Sequence, residues 1–262
     1  MQITHDLHVH TNLSICAEPE ADLKGYLKWA KAAGIKTLAV SNHLWDHAVP
    51  GWIPWYGPQD FKHICKIKED LEQITDPDIR ILFGAETEYS YQDHKIAITA
   101  EVAEQLDVML VPNSHSNISM PTAFYPNLQQ HADFMLRAYH DILDDPNSKY
   151  VTAIAHPFAA VECPYERELL LPFISDAQYR ECFEETAAKN IAVEINASVF
   201  CKKTPFQIRN SEFLRIFQIA RDCKCKFSFG SDSHSHNHMK YVQVCGIVAD
   251  LLNLTEPQII NI

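Results

Sequence analysis

The sequence predicts an α/β fold in which seven parallel strands alternate with helices and close, or nearly close, into one TIM-like barrel spanning residues 1–262 as a single domain. Three observations carry this. Short apolar runs of strand character alternate with segments whose apolar residues fall at helical spacing. No composition break, repeat or low-complexity tract marks a linker. His or acidic residues stand at or just past the C-terminal ends of the later strands and within and beyond the first, the end where barrel active sites are built.

The first strand is His5-Asp6-Leu7-His8-Val9-His10-Thr11. Asp6, His8 and His10 alternate with Leu7 and Val9, so extended backbone would put the carboxylate and both imidazoles on one face, roughly 6.6 Å apart. Two imidazoles at that spacing can reach one cation, since a metal–nitrogen bond is about 2.1 Å. The competing reading of an isolated His-x-His is a surface strand with incidental histidines. Glu20 to Ala33 follows as a helix, with Leu23, Leu27 and Ala30 on one face and Gly34 to end it. Lys36 to Val40 is a buried strand running into Ser41-Asn42-His43, followed by a Trp- and Pro-rich loop from Trp45 to Pro58 and a helix over Gln59 to Gln73. That loop, with Trp45, Trp52, Trp55 and Tyr56, suits either a lid that stacks on a substrate or a loop anchored by its own aromatics.

Ile79 to Phe83 leads into Gly84-Ala85-Glu86, then a hairpin over Tyr89 to Thr99 and a short helix from Ala100 to Gln105. Asp107 to Val111 ends at Asn113-Ser114-His115, Leu128 to Leu143 is a long helix, and Val151 to Ala155 ends at His156-Pro157. Asp176 to Lys189 is helical, Ile191 to Ile195 is a strand containing Glu194, Ser211 to Asp222 is helical, and Lys226 to Phe229 opens into Gly230-Ser231-Asp232-Ser233-His234. The tail is expected to add a strand over Val242 to Val248 and a short last helix.

Twenty-two basic against 34 acidic residues leave a net charge of −12, which repels nucleic acid unless metals or a local basic patch reverse the sign. The eight cysteines are irregularly spaced, so they read as reduced thiols of a cytoplasmic protein. Met1 lies so close to the first strand that no room for a signal peptide is expected, and no run of about 18 apolar residues could span a membrane.

The barrel would gather His8, His10, His43, Glu86, His115, His156, Asp232 and His234 at one mouth. Each histidine by itself reads as a core residue satisfied by a backbone carbonyl; eight donors at one end of one barrel do not. The remaining histidines do not share the placement, although His236 and His238 sit just past the last donors.

The motifs Asp6-Leu7-His8-Val9-His10-Thr11, Ser41-Asn42-His43, Gly84-Ala85-Glu86, Asn113-Ser114-His115-Ser116, Ala155-His156-Pro157 and Gly230-Ser231-Asp232-Ser233-His234 resemble, in this order, those of the PHP (polymerase and histidinol phosphatase) superfamily of metal-dependent phosphoesterases. Within it the chain looks most similar to histidinol-phosphatase-like members. The resemblance implies a distorted (β/α)7 barrel holding two to three divalent metal ions, Zn, Mn or Fe. It implies one metal on His8, His10, Glu86 and Asp232, a second on Glu86, His115 and His156, and a third on His43, His234 and Cys16, where many relatives have His. A thiolate there would tilt that site toward Zn²⁺ or Fe²⁺, whereas the plain reading of Cys16 is an inert buried thiol.

The expected reaction is hydrolysis of a small phosphate monoester, with histidinol phosphate a candidate and a metal-bridging hydroxide as nucleophile. Glu86 and Asp232 would serve catalysis as ligands. Asp6 would orient a ligand histidine. Lys202, Lys203 and Arg209 follow the sixth strand and could receive phosphate oxygens, against a reading as a solvated basic loop; Glu194 could orient a ligand or touch substrate. The partner expected is thus a small phosphorylated metabolite, with no membrane and with nucleic acid disfavoured by the net charge. Alternatives are a phosphodiesterase or exonuclease trimming nucleic-acid ends, a barrel amidohydrolase, and a non-catalytic metal-dependent binding module.

Overall fold

A computed structural model describes residues 1–262 except 75, 162 and 164. Seven parallel strands form one sheet in sequential order: β1 (His5–Val9), β2 (Thr37–Leu44), β3 (Arg80–Thr87), β4 (Val108–Pro112), β5 (Ala153–Ala155), β6 (Ala192–Asn196) and β7 (Lys226–Gly230). The circle is completed where β1 meets β7. Val9 bridges Ser233 in parallel, Asp232 N–H donates to the His8 carbonyl at 2.8 Å, and His10 N–H to that of Ser233 at 2.9 Å. The result is the expected distorted, TIM-like α/β barrel, closed at this seam by a bridge in place of a full ladder.

Helices follow the strands, among them α1 (Leu23–Ala33), α2 (Ile67–Gln73), α3 (Ala100–Ala103), α4 (Leu128–Asp144), α5 (Asp176–Ala188), α6 (Glu212–Asp222) and α7 (Val244–Leu251). Side-chain caps set several boundaries. Asp22 accepts from Gly25 N–H at the start of α1, so that helix begins later than Glu20, and Gly34 ends it with φ +78°, where a side chain would be strained. Asn127, Ser175 and Ser211 cap α4, α5 and α6 in the same way. The helix expected over Gln59 to Gln73 is two pieces, Phe61–Ile64 and α2. The hairpin after β3 is present as Tyr89–Ser90 paired antiparallel with Lys95–Ile96.

Two main apolar layers fill the barrel, beside a small cluster of Trp45, Tyr56 and Ala97 under the aromatic loop. A small inner one holds Leu7, Ala39, Leu82, Val108, Leu110, Ala153, Ala155 and Ala192, with Ile260 and Ile262 packed against it. A large outer one lies between sheet and helices.

One sequence expectation fails in the tail. Val242 to Val248 is no strand: a 3₁₀ turn over His236–Gln243 runs straight into α7. An apolar run of that length does not distinguish strand from helix, and the part of β7 that β1 leaves open is bridged instead by Ile259, through Ile260 N–H to the Phe227 carbonyl at 3.0 Å. Among the described residues no helix is long and apolar enough to cross a membrane, and the eight cysteines form no disulfide.

Candidate metal centre

The inward face of each strand decides what the mouth of the barrel contains. Going up β2, Ala39 belongs to the inner apolar layer and His43 stands two pleats higher; on β3, Leu82 is followed two pleats up by Glu86. Small residues below and donors above therefore come from the same alternation.

β1 departs from strict alternation. Its register shifts between Asp6 and Val9, and Leu7 faces the inner layer while Val9 packs outside. The irregularity brings His8 and His10 together, Nε2 to Nε2 at 3.0 Å, and takes Asp6 out of the row. Asp6 Oδ1 accepts the backbone N–H groups of His8 (3.2 Å) and Ser231 (2.9 Å), not an imidazole N–H, and its Oδ2 has no hydrogen bond. Burial pushes this carboxyl up to about 7. The single-face expectation thus fails at Asp6, because a bulge reverses the side-chain parity that a regular strand would keep.

Glu86 is the hub. Its Oε2 lies 3.4 Å from His8 Nε2, 3.5 Å from His10 Nε2 and 3.1 Å from His43 Nδ1; its Oε1 lies 2.9 Å from His156 Nε2 and 3.5 Å from His115 Nε2. Asp232 Oδ1 stands 3.6 Å from His8 Nε2 and 3.5 Å from His10 Nε2. Three groups could each hold a metal ion, with donor atoms within 4.8 Å of one another: His8, Glu86 and His156; His8, His10 and Asp232; and His10, His43 and His234. The His10 ring lies 4.3 Å between centroids from both His43, tilted to it, and His234, stacked on it.

The chemistry of this donor set fits divalent cations. His8 gives its Nδ1–H to Glu194, so in the neutral ring Nε2 presents a lone pair to the oxygens of Glu86 and Asp232 and to the facing nitrogen of His10. Only a proton or a cation reconciles that many lone pairs. His43 Nδ1 is buried without a hydrogen bond, because Glu86 Oε2, although near, is out of line. Titration tendencies agree. Burial opposes charge on His8, yet Glu194, Glu86 and Asp232 hold it well above the ordinary imidazole value. Burial likewise opposes charge on His115, which Glu88 and Glu86 raise to about 9. Burial and the neighbouring His234 and His43 hold His10 well below that value, and although burial resists it, the surrounding histidines hold Glu86 and Asp232 low. Imidazole with carboxylate suits Zn²⁺, Mn²⁺ or Fe²⁺.

A family model for the PHP domain matches residues 6–198, most of the chain and all of these donors up to His156. The chain belongs to the PHP domain family. A histidinol phosphate phosphatase from Lactococcus lactis subsp. lactis Il1403, solved with zinc, L-histidinol and phosphate, shares the fold at TM-score 0.60, 16% identity, 95% of this chain and 93% of that one. A Listeria monocytogenes protein assigned as a histidinol phosphatase gives 0.62, 13%, 90% and 97%. No curated protein matches the sequence.

In this PHP domain the gathered histidines are aimed by partners that sequence reading found only in part. Glu194, buried on β6, takes the Nδ1–H of His8 at 2.8 Å, while its other oxygen accepts His156 N–H at 2.7 Å and Asn196 Nδ2 at 3.0 Å. The orienting task expected of Asp6 therefore falls to Glu194. Gly230 makes this possible: a Cβ there would stand 2.1 Å from Glu194 Oε1. Glu88 was missed. It hydrogen-bonds His115 Nδ1 and accepts Tyr56 OH at 2.8 Å, and the available signal was its position two residues after Glu86 on the same strand face. Ser114 Oγ sits 2.8 Å from His156 Nδ1. Two donors, His156 (φ +26°) and Asp232 (φ +54°), have left-handed backbone, a strain held by those hydrogen bonds and by Asp232 N–H to the His8 carbonyl.

Cys16 is exposed and belongs to none of the three donor groups. His236 packs on Gly25 and bonds the Asp22 carbonyl at 2.9 Å, so it braces α1. The aromatic loop is anchored by its own aromatics. Trp45 and Tyr56 are buried anchors, while Trp55 sets its edge on His43 at 5.0 Å and Trp52 is exposed, stacked on His47. The three cations separate. Lys202 lines a cleft of about 870 Å³ with Arg167, Tyr165 and Ser198; Lys203, on the same cleft, pairs with Glu168 at 2.7 Å; Arg209 lies in another groove beside Phe206 and Asp250.

Proposed function

We propose that this protein is a metal-dependent phosphoesterase that hydrolyses a small phosphate monoester, with L-histidinol phosphate as the first substrate to try. The observation that carries the reading is the convergence of five imidazoles on the two oxygens of Glu86, with Asp232 beside them. Two to three Zn²⁺, Mn²⁺ or Fe²⁺ ions bound there would neutralise phosphate oxygens and lower the pKa of a water toward about 7. His8, His10, Glu86 and Asp232 would hold one; Glu86, His115 and His156 another; and His43 with His234 a third, for which Cys16 and His10 are the rival completing ligands.

The chain's own residues fix which nitrogen faces the ions. Glu194, Glu88 and Ser114 engage Nδ1 of His8, His115 and His156, leaving Nε2 inward. Asp6 holds the β1–β7 seam through the N–H groups of His8 and Ser231, which keeps Asp232 in reach. Trp55 over His43 limits access of bulk water from one side. Lys202, on the rim cleft, is the cation we assign to a phosphate oxygen, ahead of the paired Lys203 and the distant Arg209. The bound ligands of the L. lactis neighbour, and a net charge of −12 that disfavours nucleic-acid ends, support a small phosphorylated substrate. A reduced, cytoplasmic setting goes with eight cysteines that form no disulfide.

The test is hydrolysis of a panel of phosphate monoesters, L-histidinol phosphate included, and one phosphodiester, by protein of measured metal content, beside His8→Ala and Glu86→Ala. Metal-dependent turnover of a monoester, lost in both variants, is expected. Preference for the diester would move the assignment to a phosphodiesterase, and full metal occupancy with no hydrolysis would refute it.

A further inference from the structure

Outside the donor set lies a second buried polar cluster that the reaction does not use. His131, fully buried on α4, bonds Ser116 Oγ through Nε2 at 2.5 Å and the Tyr165 hydroxyl through Nδ1. Ser116 is the residue after His115 and opens the short helix Ser116–Ser119. Tyr165, half-buried, is a wall of the cleft of about 870 Å³ that also holds Lys202 and Arg167. That cleft is walled by the segments that follow β5 and β6, on the same side of the barrel as the donors. Ala160 in its lining lies in the turn after His156, where Val161 N–H donates to the Ser114 carbonyl at 3.0 Å, and Ser198 in its lining gives its N–H to Asn196, which in turn bonds Glu194.

Burial pushes His131 down to about 4, so near neutrality the ring is uncharged and must donate through one nitrogen and accept through the other. Whichever tautomer holds, both bonds are made together. A hydroxyl so fixed offers its remaining capacity in a set direction.

We infer that Tyr165 recognises a hydrogen-bonding group on the organic part of the phosphoester, and that His131 is the positioning residue that ties Tyr165 to the loop carrying His115. The inference rests on the phosphoesterase reading above. It predicts a substrate whose leaving group carries an amine, hydroxyl or ring nitrogen, in place of a plain aryl or alkyl group.

The experiment compares L-histidinol phosphate with phenyl phosphate, whose leaving group offers nothing beyond the ester oxygen, using the metal-loaded full chain and its Tyr165→Phe and His131→Gln variants. Gln keeps a hydrogen-bonding group at this position without the ring's two opposed nitrogens. Removal of one hydrogen bond to substrate is worth about tenfold. The expected result is an increase of about tenfold in KM for L-histidinol phosphate with kcat within about twofold, a similar loss of selectivity over phenyl phosphate, and a double variant no worse than Tyr165→Phe. Calorimetric titration with L-histidinol phosphate supplies a readout independent of turnover, with the same tenfold weakening expected. Binding that depends on Tyr165 without any hydrolysis would overturn the phosphoesterase reading and keep this inference. Hydrolysis with selectivity unchanged in both variants would do the reverse. A uniform fall in kcat with loss of metal would reduce His131 to a structural residue and overturn the inference, as would no binding of L-histidinol phosphate.

Discussion

Replacing Glu194 by Gln changes one atom and tests how the first ligand is aimed. In the native site both carboxylate oxygens only accept: Oε1 from His8 Nδ1–H, Oε2 from His156 N–H and Asn196 Nδ2. An amide must turn its NH₂ toward one side. If it faces His8, the ring adopts the other tautomer, protonates Nε2 and withdraws its lone pair from Glu86 and Asp232. If it faces His156, two N–H groups oppose each other in a buried place, at a cost of about 1–3 kcal/mol. Either way metal affinity is expected to fall about 10- to 100-fold, or about 1.4–2.7 kcal/mol. Competition with a chromophoric chelator, with metal content by mass spectrometry and a circular-dichroism melt as fold control, measures it. Retention of wild-type affinity within twofold, in a folded protein, would refute the assignment of Glu194 as the residue that sets His8.

Glu88→Gln should act likewise on His115, lowering its pKa from about 9 toward the ordinary imidazole value, visible by NMR titration of the metal-free protein. Gly230→Ala places a methyl 2.1 Å from Glu194 Oε1 and 2.5 Å from His8 Cβ, so we expect loss of metal binding together with a lower melting temperature; an unchanged chelator titration would contradict this. In metal-free protein the folded pKa of His115, raised to about 9, gives stability that is full below about 6.5 and lost as pH climbs through 9. Asp6, raised from 3.8 to about 7, works in the same direction at lower pH, because the unfolded chain releases its proton first. Urea melts without metal should therefore show stability falling from pH 7 to 9, above the range in which the depressed His10 and His131 act in the opposite direction, and a flat or rising profile there would count against the assignment. Because bound metal replaces the protons on His8 and His115, metal affinity itself should rise over pH 6 to 9, which chelator competition at each pH would measure.

The donors themselves were legible because each follows from a local pattern. A strand's period of two and its C-terminal end fix where His43, Glu86, His115, His156 and Asp232 must lie once the chain is seen as a barrel. Lys202, Lys203 and Arg209 show the limit of such reasoning. Eight residues of one connection look like a single basic patch in sequence, but in the fold one faces the rim cleft, one is taken by Glu168, and one lies in a separate groove.

What the sequence by itself determined is the seven-strand alternation and which eight imidazoles and carboxylates gather at one end of the barrel, set by short-range periodicity and residue type. What only the tertiary structure decided is how those donors are held. His8 meets Glu194 across 186 residues, and His115 meets Glu88 across 27. The bulge that moves Asp6 out of the row lies in the β1–β2 pairing, and the tail forms a helix over Val244–Leu251 before Ile259 bridges Phe227 on β7. These are contacts between segments brought together by packing, and no local pattern in either segment specifies its partner.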